Sequence, residues 1–182
     1  AVDQISKLFR ISCILNIAWI VTFSFVLVEI SVLFIFGFVI TLALISIKLL
    51  EIQEGKRWLL PVSFGLYSGW LFIATIVNIN ASLVKLNCAR FGFMQETWGI
   101  IMLIVAIFLL IGVVIKIRNA IFPLPIAWAY LGINQFLKSP TGFNGEFATL
   151  QTVSLIGMSV LVIISVILFI RNHFSILPEL SK

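Results

Sequence analysis

Apolar runs of about 20 residues follow one another along this chain with only short polar breaks between them, and that feature decides what it can fold into. A run of that length matches the hydrocarbon core of a bilayer, about 30 Å thick. Within lipid every backbone N–H and C=O needs a partner inside the protein, so a spanning segment is a helix or part of a closed barrel. Barrel strands alternate apolar and polar residues, whereas these runs are continuous. The composition agrees: 62% of the residues are hydrophobic and 10% are charged, against about a quarter charged in soluble domains. The expected fold is all-α, an integral membrane bundle of about six transmembrane helices in one domain over residues 1–182.

The expected spans are residues 11–28, 31–50, 58–84, 98–115, 120–136 and 147–170. Glu29 marks a tight turn between the first two, and a charged loop over residues 51–57 precedes the third. Pro123 and Pro125 open the fifth stretch, where proline is best tolerated in a helix. That stretch is short, so it either spans or re-enters. With six crossings, nine basic residues (Lys7, Arg10, Lys48, Lys56, Arg57, Lys116, Arg118, Arg171 and Lys182) fall on one side, against three (Lys85, Arg90 and Lys138) on the other. The positive-inside rule then puts both termini in the cytoplasm, with a bacterial inner membrane as the expected location.

The net charge of +5 comes from basic residues spread singly or in pairs between the runs, which makes no stripe for nucleic acid. Cys13 lies within a span and Cys88 in a loop, so neither a disulfide framework nor a metal site is expected. His173 is the one histidine and stands in the C-terminal tail, which leaves no HExxH zinc site. No GxSxG elbow occurs, and Gly55-Lys56 lacks the rest of a phosphate-binding loop. Hydrolytic and phosphoryl-transfer chemistry are therefore not expected.

Polar and aromatic residues inside the spans carry the functional reading. Asn16 and Trp19 share one face of the first span. In the third, Tyr67, Trp70, Ala74 and Asn78 fall within an arc of about 80° at roughly 100° per residue, and Gly65 and Gly69 point toward a neighbouring helix. Two readings of the arc stand side by side. The asparagines bridge helices and the tryptophans fill the core; or the arc lines a pocket for a flat apolar ligand, with tryptophan for stacking, alanine for room and an amide for a polar edge. Trp58, Trp98 and Trp128 are expected as interfacial anchors.

Leu15-Asn16-Ile17-Ala18-Trp19 resembles the LNxAW motif of the TspO/MBR family, the tryptophan-rich sensory proteins that include the mitochondrial translocator protein. Tyr67-Ser68-Gly69-Trp70 with Ala74-Thr75 and Asn78 resembles that family's PYLAWxxxATxxN helix. Residues 14–84 are then similar to the family's third to fifth helices, and Ala127-Trp128-Ala129-Tyr130-Leu131-Gly132-Ile133 to a WAxxGI stretch of its longer bacterial members. The family's first two helices have no counterpart ahead of Ala1, so a shortened member or a fragment is expected.

The resemblance implies binding of porphyrins, haem, sterols or similar apolar molecules, with no cofactor required. It implies Trp19, Trp70, Ala74 and Asn78 as pocket residues, supported by Asn16, Tyr67 and Thr75, and a sensory or receptor role. Porphyrin photo-oxidation at Trp70 enters by resemblance alone. The partners it implies are an apolar small molecule, the bilayer and a second copy of the chain. The alternative is a small multi-span transporter or permease-like subunit, although no Asp, Glu, Lys or Arg lies at the centre of a span to mark a route.

Overall fold

The structure, a computed structural model, describes residues 2–51, 58–86 and 95–178. Six helices form, one for each expected span: α1 (Val2–Ser24), α2 (Val28–Glu51), α3 (Leu59–Lys85), α4 (Gln95–Ile117), α5 (Pro123–Lys138) and α6 (Ala148–Arg171). No strand occurs among the described residues. All except α5 are long and apolar enough to cross a membrane. Residues 52–57 and 87–94 of the two expected loops, including Cys88 and Arg90, lie outside the described residues.

Two local differences from the sequence expectation have plain causes. The turn between α1 and α2 falls at Phe25–Leu27, with Val26 at φ 59°, rather than at Glu29. Glu29 stands in the first turn of α2, where its charge meets the positive end of the helix dipole. Its carboxylate accepts from Lys85 Nζ at 3.0 Å, and the same ammonium donates to the Val26 carbonyl. The other difference is that α1 starts well before Ile11, which places Arg10 two turns inside the helix.

The fifth helix runs antiparallel beside α6. It has 16 residues, roughly 24 Å at 1.5 Å per residue, against a core of about 30 Å. The turn before it is tied to the start of α3, because Asn119 Nδ2 donates to the Pro61 carbonyl at 2.8 Å. The same turn is tied to the end of α6, where Asn172 Nδ2 donates to the Arg118 carbonyl at 2.9 Å. Farther along, Asn134 Nδ2 donates to the Gln151 carbonyl in the first turns of α6. Glu96 at the start of α4 accepts from the backbone N–H groups of Thr149 and Leu150, which caps α6 at the opposite end. In the folded segment 139–147, Phe143 packs on Phe136 and Phe147.

Two apolar cores result. One gathers α1, α2 and α3 around Ile35, Phe38, Leu42, Ile45 and Leu71. The other gathers α4, α5 and α6, with Ile73 of α3, around Leu110, Ile126, Tyr130 and Leu161. They meet where α3 packs on the start of α5, at the small-residue pair seen in the sequence. A Cβ on Gly65 would press on the Asn119 amide at 2.7 Å, and one on Gly69 would run into the Phe122 carbonyl oxygen. Close backbone approach of this kind is how helices associate where lipid removes the hydrophobic drive. Tyr130 stitches the second core: its ring lies over Gly157 and its hydroxyl donates to the Leu103 carbonyl.

Candidate functional site

At the seam between the two cores a half-open hollow of about 260 Å³ is lined by Trp19 and Phe23 of α1, Trp70, Ile73, Ala74, Val77 and Asn78 of α3, and Ala129 and Ile133 of α5. Four of the residues singled out in the sequence, Trp19, Trp70, Ala74 and Asn78, therefore surround one space. Helical spacing explains the α3 share, since residues 70, 74 and 78 recur at intervals of four and stack on one face. Trp70 stands at the mouth, 52% exposed, while Asn78 is 1% exposed. The lining is almost wholly apolar and carries no charged residue.

Polar atoms are held behind that lining. Ser31 Oγ of α2 donates to Asn78 Oδ1 at 3.0 Å, but Asn78 Nδ2 is buried without a partner. Trp19 Nε1 is likewise buried and unpaired. Buried polar groups are nearly always hydrogen-bonded, so two orphans on one hollow are unusual.

Asn16, Tyr67 and Thr75 sit elsewhere. Asn16 Nδ2 donates to the Tyr67 hydroxyl at 3.3 Å, a bridge from α1 to α3 that matches the structural reading of Asn16. Tyr67 lines a different groove, toward the first turns of α1 and α3. Thr75 is buried, and its hydroxyl returns to the Leu71 carbonyl of its own helix at 2.8 Å. A smaller hollow of about 150 Å³ adjoins the first and shares Ile73, Val77 and Ile133 with it. There Trp98 Nε1 donates to Asn80 Oδ1 at 2.7 Å, so the indole of Trp98 ties α4 to α3. Trp58 and Trp128 face outward.

Sequence reasoning missed Phe23, Ile73, Val77, Ala129, Ile133 and Ser31. Phe23 follows Trp19 by four residues, and Ala129 and Ile133 stand four apart in the WAxxGI-like stretch, so helical spacing pointed to all three. Ser31 offered no such signal, because its part depends on where α2 packs.

The model of a protein family described as TSPO-like protein matches residues 1–168, from the start of α1 through most of α6. The chain belongs to the TSPO-like family. The resemblance read from the Asn16–Trp19 and Tyr67–Asn78 motifs is thus correct, and both motifs of this TSPO-like protein contribute to the same hollow. Searches of curated proteins and of solved structures return no match. An integral membrane protein, with six helices among the described residues, is what family and fold together establish.

Proposed function

We propose that this TSPO-like protein binds a flat apolar ligand, a tetrapyrrole such as a porphyrin or haem or a molecule of similar shape, in the hollow between α1, α3 and α5, and that it serves as a sensor or receptor for that ligand. The observation that carries the reading is the convergence of Trp19, Trp70, Ala74 and Asn78 on one apolar space. Two indoles supply area for stacking, Ala74 leaves the room, and the buried amide supplies a polar edge. Trp70 at the mouth gives an entering ring a surface to slide along from the bilayer.

Size limits how a ligand would sit. The hollow, at about 260 Å³, falls just below the roughly 300–1,000 Å³ of sites that enclose drug-sized molecules. A three-ring molecule fits inside it; a full macrocycle would insert one edge and leave the rest against Trp70 and the acyl chains. No charged group lines either hollow at the seam, which favours binding over ion-coupled transport.

The same proposal includes the topology. Lys7, Arg10, Lys48, Lys116, Arg118 and Arg171 gather at the end where α1 begins, and Lys85 and Lys138 at the other. By the positive-inside rule both termini are cytoplasmic, in a bacterial inner membrane.

Titrating protoporphyrin into the protein in lipid nanodiscs tests the binding. Tryptophan fluorescence is expected to fall with saturation, and Trp70→Phe to weaken binding about tenfold, whereas Trp128→Phe on the outward face of α5 leaves it unchanged. If Trp70→Phe binds as tightly as the parent protein, the hollow is not the site.

A further inference from the structure

A second hollow lies apart from the tryptophan site. It is an open groove of about 580 Å³ between the first turns of α1 and α3, lined by Ile5, Ser6, Phe9, Arg10, Leu60, Ser63, Phe64 and Tyr67. Its walls are almost wholly apolar, and the rings of Phe9 and Phe64 meet edge to face at 6.1 Å within it. From Leu60 to Tyr67 it runs seven residues along α3, roughly 10 Å into the bilayer.

One cation lies on this apolar groove. Arg10 is five residues inside the apolar part of α1, which begins at Ile5. Its Nε lies 3.5 Å from the Ser6 carbonyl, so the side chain runs back toward the start of the helix, as helical side chains do. Among the described residues no carboxylate pairs with it. Of the described residues, the acidic pair Asp3 and Glu51 at this end faces a separate hollow with Lys7 and Lys48. Ser63 stands exposed on the α3 wall. An unpaired cation within a span is costly unless something anionic meets it.

We propose that this groove is a binding site for one anionic phospholipid of the leaflet into which α1 and α3 begin. An acyl chain lies along Ile5, Phe9, Leu60 and Phe64, and the phosphate accepts hydrogen bonds from the Arg10 guanidinium. The planar fork of arginine suits a phosphate better than a point charge does. Simple snorkelling of Arg10 to any headgroup would need no groove. The groove beside the guanidinium supplies the second half of an amphiphile site, a slot for the tail.

Reconstituting the full chain in vesicles of equal parts phosphatidylglycerol and phosphatidylcholine, extracting it in mild detergent and counting retained lipids by native mass spectrometry tests this. One phosphatidylglycerol per chain is expected, favoured about fivefold over phosphatidylcholine, the weight of one cation near a leaflet surface. Arg10→Gln should abolish the preference, and Leu60→Trp, which fills the slot, should remove the retained lipid altogether. Lys116→Gln, at the same end of the bundle but off the groove, should change neither. Equal retention of the two lipids, or a preference that survives Arg10→Gln or falls as much in Lys116→Gln, overturns the assignment. Circular dichroism of each variant separates loss of lipid from loss of fold.

Discussion

Asn78 of α3 takes a hydrogen bond on its carbonyl oxygen from Ser31 of α2 at 3.0 Å, while its amide nitrogen is buried without a partner. Ser31 Oγ also lies 2.8 Å from the Val28 carbonyl one turn earlier. A hydroxyl has a single proton, so it serves one of the two acceptors at a time. If that proton goes to Val28, the Asn78 amide turns over, donates to Ser31, and leaves its carbonyl as the unpaired atom. In either orientation one polar atom of Asn78 has nothing to bond. The contact holds α2 to α3 and keeps the amide at the wall of the tryptophan hollow.

Replacing Ser31 with Ala should therefore leave both polar atoms of Asn78 unpaired. Hydrogen bonds between membrane helices average about 0.6 kcal/mol and reach about 1.7, and Ser31 is fully buried, so a loss of about 1 kcal/mol is expected. Thermal unfolding in detergent reads it. In Asn78→Leu the serine keeps its Val28 acceptor and the orphan amide disappears, so stability should change less than in Ser31→Ala, while protoporphyrin binding weakens.

The glycines of the bundle are expected to divide by what lies beside them. Gly69→Ala puts a methyl into the Phe122 carbonyl, and backbone cannot give way as a side chain can. Overpacking of this kind costs about 1–3 kcal/mol. Gly132 has open space where its Cβ would be, so Gly132→Ala should gain up to about 1 kcal/mol from helix propensity alone. Unfolding of the two variants side by side checks the contrast; equal effects would mean that α3 and α5 are not in this register.

The spans were legible because apolar run length is set by the bilayer and shows directly in the sequence. The Gly65–Gly69 pair also announced a close helix contact, though not that its partner would be the turn at Asn119 and Phe122 rather than a helix face. The site was legible on a single helix: periodicity put Trp70, Ala74 and Asn78 together. It could not separate Tyr67, which lies on the same arc yet opens into another groove, because that depends on how α2 sets α1 beside α3. Arg10 read as a flanking charge for the same kind of reason. Only the placement of α1 and α3 side by side on α2 shows that it sits on an apolar slot.

Tyr67→Phe should uncouple stability from the tryptophan site. It removes the acceptor for Asn16 at 3.3 Å, a long and partly buried bond, so about 0.5 kcal/mol or less should be lost. Protoporphyrin affinity should stay as in the parent protein, because Tyr67 does not line the hollow. A matching loss of affinity in Tyr67→Phe would extend the site toward the first turns of α1 and α3.

Filling the hollow is the most direct interference with the proposed ligand. Ala74 stands between Trp70 and Asn78 on the α3 wall, and Ala129 stands on α5. Leucine at Ala74 adds three carbon atoms to a space of about 260 Å³ that is already half open, so the bundle need not expand to admit it. Burying those carbons against Ile73 and Val77 should leave thermal stability unchanged or slightly raised, since lipid solvates them no worse than protein does. Binding should fall more steeply in Ala74→Leu than in Trp70→Phe, because a blocked cavity excludes the ligand where a lost indole merely grips it less. Ala129→Leu should act in the same direction from the other wall. If both leucine variants quench and saturate with protoporphyrin as the parent protein does, the ligand lies on the outer surface of the bundle.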